Sequence, residues 1–181
     1  RAPAERQTET MSERGRTFFD WNAGAPLLPD AREAMVATFD LAGNASSVHR
    51  EGRETRRIIE DARRDLAALV GADPRCLAFT GGGTEANASV LVPEVDDGTG
   101  RGPATRLLVS AVEHPSVMAG GRFPREAVET IPVDANGIVD LDRLEARLAA
   151  LAAAGERALV SVMAANNETG VVEPVEAVAA I

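Results

Sequence analysis

Short apolar segments alternate with helix-forming segments along most of this sequence, and this alternation constrains the fold more than any other feature. Apolar runs bounded by turn residues predict strands at 17–20, 76–79, 106–110, 127–133 and 157–163. Helical patterns lie between them at 29–41, 49–70, 85–92 and 141–154, with Gly71 and Gly155 placed to end two of the helices and Asp140 to begin another. Strands that alternate with helices predict an α/β fold with a mostly parallel sheet.

Three consecutive glycines, Gly81 to Gly83, separate the strand predicted at 76–79 from the helix predicted at 85–92. Glycine lets a ligand approach the backbone closely. A helix N-terminus offers unpaired N–H groups and a partial positive charge, so this junction predicts a cradle for an anion, most often a phosphate, to which Thr84 adds a hydroxyl. The same residues also fit a plain tight turn, and they match neither the nucleotide P-loop nor the dinucleotide fingerprint.

Two further loops follow predicted strands. The segment Glu113-His114-Pro115 leaves the strand at 106–110, and the segment 166–170 leaves the strand at 157–163. Ligands of open α/β sheets bind at the carboxyl ends of strands, so these two loops and the glycine loop form the predicted site. Taken alone, His114 fits a plain surface histidine better than a functional one, and Asn167 fits a turn residue.

The composition excludes several classes of function. A net charge of −9 argues against a nucleic-acid or anionic-membrane partner, and no apolar run approaches the length of a membrane span, about 20 residues. The single cysteine fits a reducing, cytoplasmic compartment. All 19 basic residues are arginine, so these 181 residues carry no side-chain amine.

The two ends of the sequence suggest how the chain is organised. Residues 1–16 are polar, lack the apolar segment of a secretory signal and are expected to form a flexible tail. The sequence begins with arginine and stops inside a helix that the pair Glu173-Pro174 is expected to open. We therefore expect a fragment of a longer protein, with 17–181 forming one partial domain.

Six motifs in a fixed order carry a resemblance to a known family. The sequence resembles the cysteine desulfurases, which belong to the class V aminotransferase-like group of pyridoxal-phosphate enzymes, over about 17–181. The matching segments are 19–23, 43–49, 79–87, 113–115, 136–141 and 161–163 together with 166–172. The resemblance implies a three-layer sandwich with a mostly parallel sheet, as in the large domain of the aspartate-aminotransferase-like (fold-type I) enzymes, here incomplete.

The resemblance also implies roles for individual residues. Gly83 and Thr84 stand where the family binds the phosphate of pyridoxal 5'-phosphate. His114 stands where the family stacks an imidazole over the cofactor ring and moves protons, and Asn167 where it hydrogen-bonds the ring oxygen. His49 follows a matching loop and is expected to be structural. No metal ligand is implied.

Some of the family's functional residues have no counterpart in these 181 residues. The lysine that anchors the cofactor, the aspartate at the ring nitrogen and the arginine that binds the substrate carboxylate are expected beyond Ile181, as is the loop cysteine that accepts sulfur. Cys76 is not assigned that role, because a thiol in a buried strand is usually inert. Gly81 and Gly83 also stand where the family often has serine and alanine, which loosens the predicted phosphate cradle.

The implied activity is the removal of sulfur from L-cysteine, which yields L-alanine and an enzyme persulfide for iron–sulfur assembly or thiolation. The implied partners are a second copy of the chain and a sulfur-acceptor protein. Two alternatives remain open at this point. The chain could belong to another enzyme of the same group, such as a selenocysteine lyase, an aminotransferase or an epimerase. It could also be a non-catalytic partner subunit that lacks the anchoring lysine.

Overall fold

The computed structural model describes residues 17–41, 43–94, 98, 100 and 102–181, so the tail expected at 1–16 lies outside the described residues. The chain divides into two compact units, one ending at Ala78 and one spanning Phe79–Ile181. Among the described residues, none of the helices is both long and apolar enough to cross a membrane.

The described part of the first unit contains two α-helices, α1 (Pro29–Thr38) and α2 (Arg50–Val70). The C-terminus of α2 is formed as the sequence predicted, whereas the cap at its N-terminus was not predicted. The ring of His49 caps the N-terminus by accepting a hydrogen bond from the backbone N–H of Gly52 at 3.3 Å, which fits its expected structural role. Gly71 ends the helix in the left-handed conformation, with φ 68°, which glycine adopts without strain.

The second unit is built on a sheet of three parallel strands: β1 (Arg106–Ser110), β2 (Val128–Ile131) and β3 (Ala158–Ser161). The strand order is β2-β1-β3, with Leu107 opposite Val128 on one side and opposite Leu159 on the other. β2 is shorter than predicted and ends before Pro132, which has no N–H to donate to a ladder. The parallel sheet confirms the predicted fold class.

Among its described residues, the second unit also contains four α-helices: α3 (Gly83–Val90), α4 (Pro115–Met118), α5 (Leu141–Ala153) and α6 (Val175–Ala180). As predicted, Asp140 begins α5, because its carboxylate accepts the backbone N–H of Arg143 at 2.9 Å. Gly155 follows the end of this helix with φ 72°, which is also as predicted.

Side chains of β1 alternate between two apolar clusters, one on each face of the sheet. Leu107 and Val109 pack with Val117 of α4 and with Phe123. Leu108 packs in the other cluster, whose helical members come mainly from α5 and include Leu144. Helices therefore cover both faces, which is the three-layer arrangement expected for a mostly parallel sheet.

Two strand predictions are wrong. Residues 74–76 form a short 3₁₀ turn, and the apolar run after it makes no described ladder; Phe79 is 50% exposed and Cys76 is exposed. Residues 17–20 also form no strand, and the carbonyl of Phe19 instead accepts the N–H of Trp21 in a turn. In both cases the sequence shows an apolar run, but a strand forms only when a neighbouring strand pairs with it.

We predict that Leu144→Ala lowers the free energy of unfolding by about 2–5 kcal/mol, because Leu144 is fully buried between α5 and the sheet. Equilibrium urea denaturation followed by circular dichroism measures this change. The control is Glu145→Ala, one residue along the same helix and exposed, which should change stability by no more than about 0.5 kcal/mol. Equal losses for the two variants would contradict the packing described for this face.

Candidate functional site

Two of the three predicted loops leave the same edge of the sheet. Since β1 and β3 are neighbouring parallel strands, the segment after β1, which contains Glu113 and His114, and the segment after β3, which contains Asn166 and Asn167, emerge side by side.

Asn166 joins these two loops, and its side chain is 8% exposed. Its amide nitrogen donates to the backbone carbonyl of Val112 at 3.0 Å, across to the loop after β1. Its side-chain oxygen accepts the backbone N–H groups of Glu168 and Thr169, each at 2.9 Å. One buried amide therefore shapes its own turn and holds the neighbouring loop.

Asn167, the residue that the sequence singled out, is exposed and donates its amide nitrogen to the carboxylate of Glu168 at 2.9 Å. The structural role of Asn166 was not predicted from the sequence. An asparagine directly after an apolar run, with a turn following, is the pattern of a side chain that caps its own turn, and this signal was available. The two neighbouring asparagines thus have different roles: Asn166 is buried and holds the loops together, whereas Asn167 is exposed.

His114 lies at the N-terminus of the short helix α4, with its ring exposed. Its Nδ1 accepts the backbone N–H of Ser116 at 3.1 Å and lies 2.7 Å from the Ser116 hydroxyl. Pro115 occupies the first turn of α4, where its missing N–H costs nothing. The ring is therefore held at one nitrogen by the helix that it caps, and the rest of the imidazole faces outward.

The glycine loop forms the start of α3. Gly82 precedes this helix, and its carbonyl accepts the N–H of Ala86 at 3.0 Å, so the N–H groups of Gly83 and Thr84 have no acceptor within the helix. Both residues are exposed. A Cβ placed on Gly82 or Gly83 would meet nothing within 4 Å, so a ligand has room to approach the backbone at these two residues. Glu85 already holds the N–H of Gly81 through its carboxylate, at 2.6 Å.

The helix α3 is connected to the histidine loop by one side-chain hydrogen bond. The amide nitrogen of Asn87 donates to the hydroxyl of Ser116 at 2.8 Å. Together with the bond from Asn166 to Val112, this contact links all three predicted loops within the second unit. None of the four predicted site residues lines the two described surface cavities, which are formed by parts of the first unit and by the start of α6.

Two carboxyl groups lie beneath the exposed site residues. Glu173 is 3% exposed, and one of its oxygens accepts the N–H of Val139 at 2.9 Å. Burial raises the pKa of Glu113 above its ordinary value, and the nearby charge of Glu173 adds to this, against the lowering effect of the backbone N–H groups of Met163 and His114. Among the described residues, one oxygen of each carboxyl has no hydrogen-bond partner.

The described residues contain no group of three or more histidine, cysteine, aspartate or glutamate side chains placed to hold a metal ion. The three linked loops present backbone N–H groups, a hydroxyl, an imidazole and an amide. These groups can hold an anion, pack against a planar ring and hydrogen-bond an oxygen.

Solved NifS-like proteins have the same three-layer α/β fold. One solved NifS-like protein superimposes with a TM-score of 0.75 at 31% identity, over 91% of this chain and 44% of that one. A NifS-like protein from Rickettsia africae gives a TM-score of 0.67 at 29% identity, over 84% of this chain and 40% of that one. The family model for class-V aminotransferases matches residues 17–181, and the chain belongs to this family.

Relatives with an assigned name agree with this placement. A cysteine desulfurase from Frankia sp. is 41% identical over 167 residues, which cover 86% of this chain and 38% of the relative. A cysteine desulfurase from Gluconacetobacter diazotrophicus is 36% identical over 91% of this chain and 40% of its own length. The chain thus spans about two-fifths of the length of these relatives, and the class-V resemblance found in the sequence is confirmed.

We predict that Asn166→Ala lowers the free energy of unfolding by about 1–3 kcal/mol, because it leaves the carbonyl of Val112 and two loop N–H groups without their partner. Urea denaturation without cofactor measures the loss. Asn167→Ala is the matched control, since this neighbouring side chain is exposed and its removal should cost at most about 0.5 kcal/mol. A loss for Asn167→Ala as large as that for Asn166→Ala would refute the proposed division between the two residues.

A second prediction concerns pH. Because burial penalises the charged form of Glu113, the folded chain binds this proton more tightly than the unfolded chain does. Protonated Glu113 therefore makes its full contribution to the free energy of unfolding below the ordinary pKa of 4.5. This contribution is lost as the pH rises through the raised pKa of the folded chain. Glu113→Gln should consequently gain stability relative to the original protein as the pH rises from acid to neutral, as measured by denaturation at a series of pH values.

Glu129→Gln provides a control of opposite sign. Both carboxylate oxygens of Glu129 accept hydrogen bonds from Arg147 at 2.6 Å, and this pairing lowers the pKa of Glu129. Ionised Glu129 stabilises the fold above the ordinary pKa of 4.5, and this stabilisation is lost as the pH falls through the lowered pKa of the folded chain. Glu129→Gln should therefore lower the free energy of unfolding most at neutral pH. Parallel pH profiles for the two variants would overturn the account of Glu113.

Proposed function

We propose that this chain supplies part of the active site of a cysteine desulfurase that uses pyridoxal 5'-phosphate. The observation that carries the proposal is the linkage of three loops, two of which leave one edge of the sheet, in a chain that is 41% identical to a named cysteine desulfurase. An open anion cradle, an exposed imidazole and an exposed amide occupy these loops, and these are the groups that a phosphorylated aromatic cofactor requires.

The residues present fit the cofactor. The free N–H groups of Gly83 and Thr84, with the Thr84 hydroxyl, would hold the phosphate at the positive end of α3. The ring of His114 would stack on the pyridine ring, and the amide of Asn167 would donate to the ring oxygen. When bound, pyridoxal phosphate acts as an electron sink for the substrate carbon that loses a proton.

His114 has a second proposed role in moving that proton. Its Nδ1 is occupied by Ser116, so the exposed Nε2 is the nitrogen that would face the reacting groups. An imidazole nitrogen can both accept and donate a proton, which suits a group that must take up a proton and return it. In the overall reaction, the C–S bond of L-cysteine breaks, L-alanine is released, and the sulfur joins an enzyme thiol as a persulfide.

The proposal requires groups that the 181 residues do not provide. The chain contains no lysine, so a lysine for covalent attachment of the cofactor must come from elsewhere in the natural protein. The sulfur-accepting cysteine is also proposed to come from elsewhere. Cys76 is exposed, contrary to the sequence-based expectation of a buried thiol, and it lies in the first unit; its exclusion as the acceptor therefore rests on the family resemblance alone.

We further propose that the protein works as a homodimer in the cytoplasm and passes its sulfur to an acceptor protein for iron–sulfur assembly or thiolation. The single cysteine, which fits a reducing compartment, supports the location. The acidic balance, with a net charge of −9, supports protein rather than nucleic-acid partners.

We predict that His114→Ala in the natural protein lowers the rate of alanine formation from L-cysteine about 10²-fold or more, since it removes both the stacking ring and the proton carrier. Alanine release measured under saturating cofactor tests this. The control is His49→Asn, which replaces the other histidine of the chain with a residue that also caps a helix and should leave the rate unchanged.

Unchanged turnover in His114→Ala would exclude the proposed role of His114. A natural protein that binds no pyridoxal phosphate and forms no alanine would instead support the non-catalytic partner subunit. Release of selenium from selenocysteine with no reaction on L-cysteine would support a selenocysteine lyase.

A further inference from the structure

A short row of hydrogen bonds runs from α3 to the ring of His114. The amide nitrogen of Asn87 lies 2.8 Å from the hydroxyl oxygen of Ser116, and this oxygen lies 2.7 Å from Nδ1 of His114. The backbone N–H of Ser116 donates to the same Nδ1 at 3.1 Å. Asn87 and Ser116 are partly buried, whereas His114 is exposed, so the inner end of the row is less exposed to water than the ring.

The donors in this row determine where the proton of His114 lies. A backbone N–H can only donate, so Nδ1 must offer its lone pair to Ser116. The amide nitrogen of Asn87 also donates, which makes the Ser116 oxygen its acceptor and leaves the hydroxyl proton available for Nδ1. Two donors therefore converge on Nδ1, and a neutral imidazole whose Nδ1 accepts carries its proton on Nε2.

We propose that Ser116 and Asn87 are positioning residues that hold His114 in the form protonated at Nε2 and fix the plane of its ring. The consequence for the reaction rests on the function proposed above. With Nδ1 engaged twice, Nε2 is the nitrogen through which His114 would contact a cofactor or exchange a proton with substrate.

The arrangement also ties the histidine to the helix that would bind the phosphate. Asn87 lies one turn into α3, whose first residues form the anion cradle. A shift of α3 would move Asn87 away from Ser116, and the hydroxyl would then be free to turn away from Nδ1. A second proton on Nδ1 would likewise remove the acceptor for the Ser116 N–H and uncap α4. The state of the ring is thus coupled to the position of both helices.

The test measures the protonation state of the ring directly. The natural protein is labelled with ¹⁵N-histidine, the signals of His114 are assigned by their loss in His114→Gln, and long-range ¹H–¹⁵N correlation distinguishes the two ring nitrogens. We expect Nδ1 of His114 to be unprotonated and Nε2 protonated at neutral pH. A proton found on Nδ1 overturns the proposal without any variant.

Three variants then test the two positioning residues. Ser116→Ala removes the hydroxyl, and Asn87→Asp replaces the donor with a carboxylate that attracts the hydroxyl proton away from His114. Both should shift the Nδ1 signal of His114 toward the protonated position, while Ser116→Thr, which keeps the hydroxyl, should restore the original signal. His49 caps α2 and serves as the internal control, so its ring nitrogen signals should not shift in these variants. No shift in either of the first two variants contradicts the proposal.

Activity gives a second and separable measurement. Ser116→Ala should lower kcat for L-cysteine about tenfold, with little change in KM, by analogy with the loss of an outer hydrogen-bond partner of a metal-bound histidine. If the natural protein forms no alanine but the nitrogen signals behave as expected, the proposed function fails and the positioning roles stand. If alanine is formed but the ring signals do not respond, the function stands and the positioning roles fail.

Discussion

The pairing of β1 with a parallel neighbour on each side is the constraint on which the second unit depends. Both edges of this strand are paired, both of its faces are covered by apolar side chains, and Leu107 to Ser110 are fully buried. Because β1 is paired on both sides, the position at which the following loop leaves the sheet is fixed. Because β3 runs parallel beside β1, the polar loops that follow the two strands emerge at one edge of the sheet.

The loop after β1 takes part in both of the polar contacts that organise the site. Its carbonyl at Val112 accepts the buried amide of Asn166, and Ser116, just beyond His114, accepts the amide of Asn87. His114 therefore stands between two anchored points, although its ring is exposed. Both contacts are donated by a side-chain amide, and the oxygen of the Asn166 amide also accepts two backbone N–H groups of its own turn.

Local sequence patterns predicted features whose cause is local. The strand at 106–110 and the helix cap at Asp140 were found with their observed bounds, because an apolar run between breakers and a capping carboxylate act over a few residues. The strand predicted at 76–79 failed, since strand formation depends on a distant pairing partner. Only part of the division between Asn166 and Asn167 could be predicted, because a side chain that caps its own turn gives a local signal, whereas the bond from Asn166 to Val112 spans 54 residues of the chain.

The exposed thiol of Cys76 has a practical consequence for work on this protein. It is the only thiol in the 181 residues, and it lies at the end of a surface turn. Exposed thiols form disulfides between molecules when reductant is absent, so two copies can become covalently joined through this one position. A pair of that kind would have the mass of the proposed homodimer without its interface, and only the pair that persists in excess reductant reports the native association.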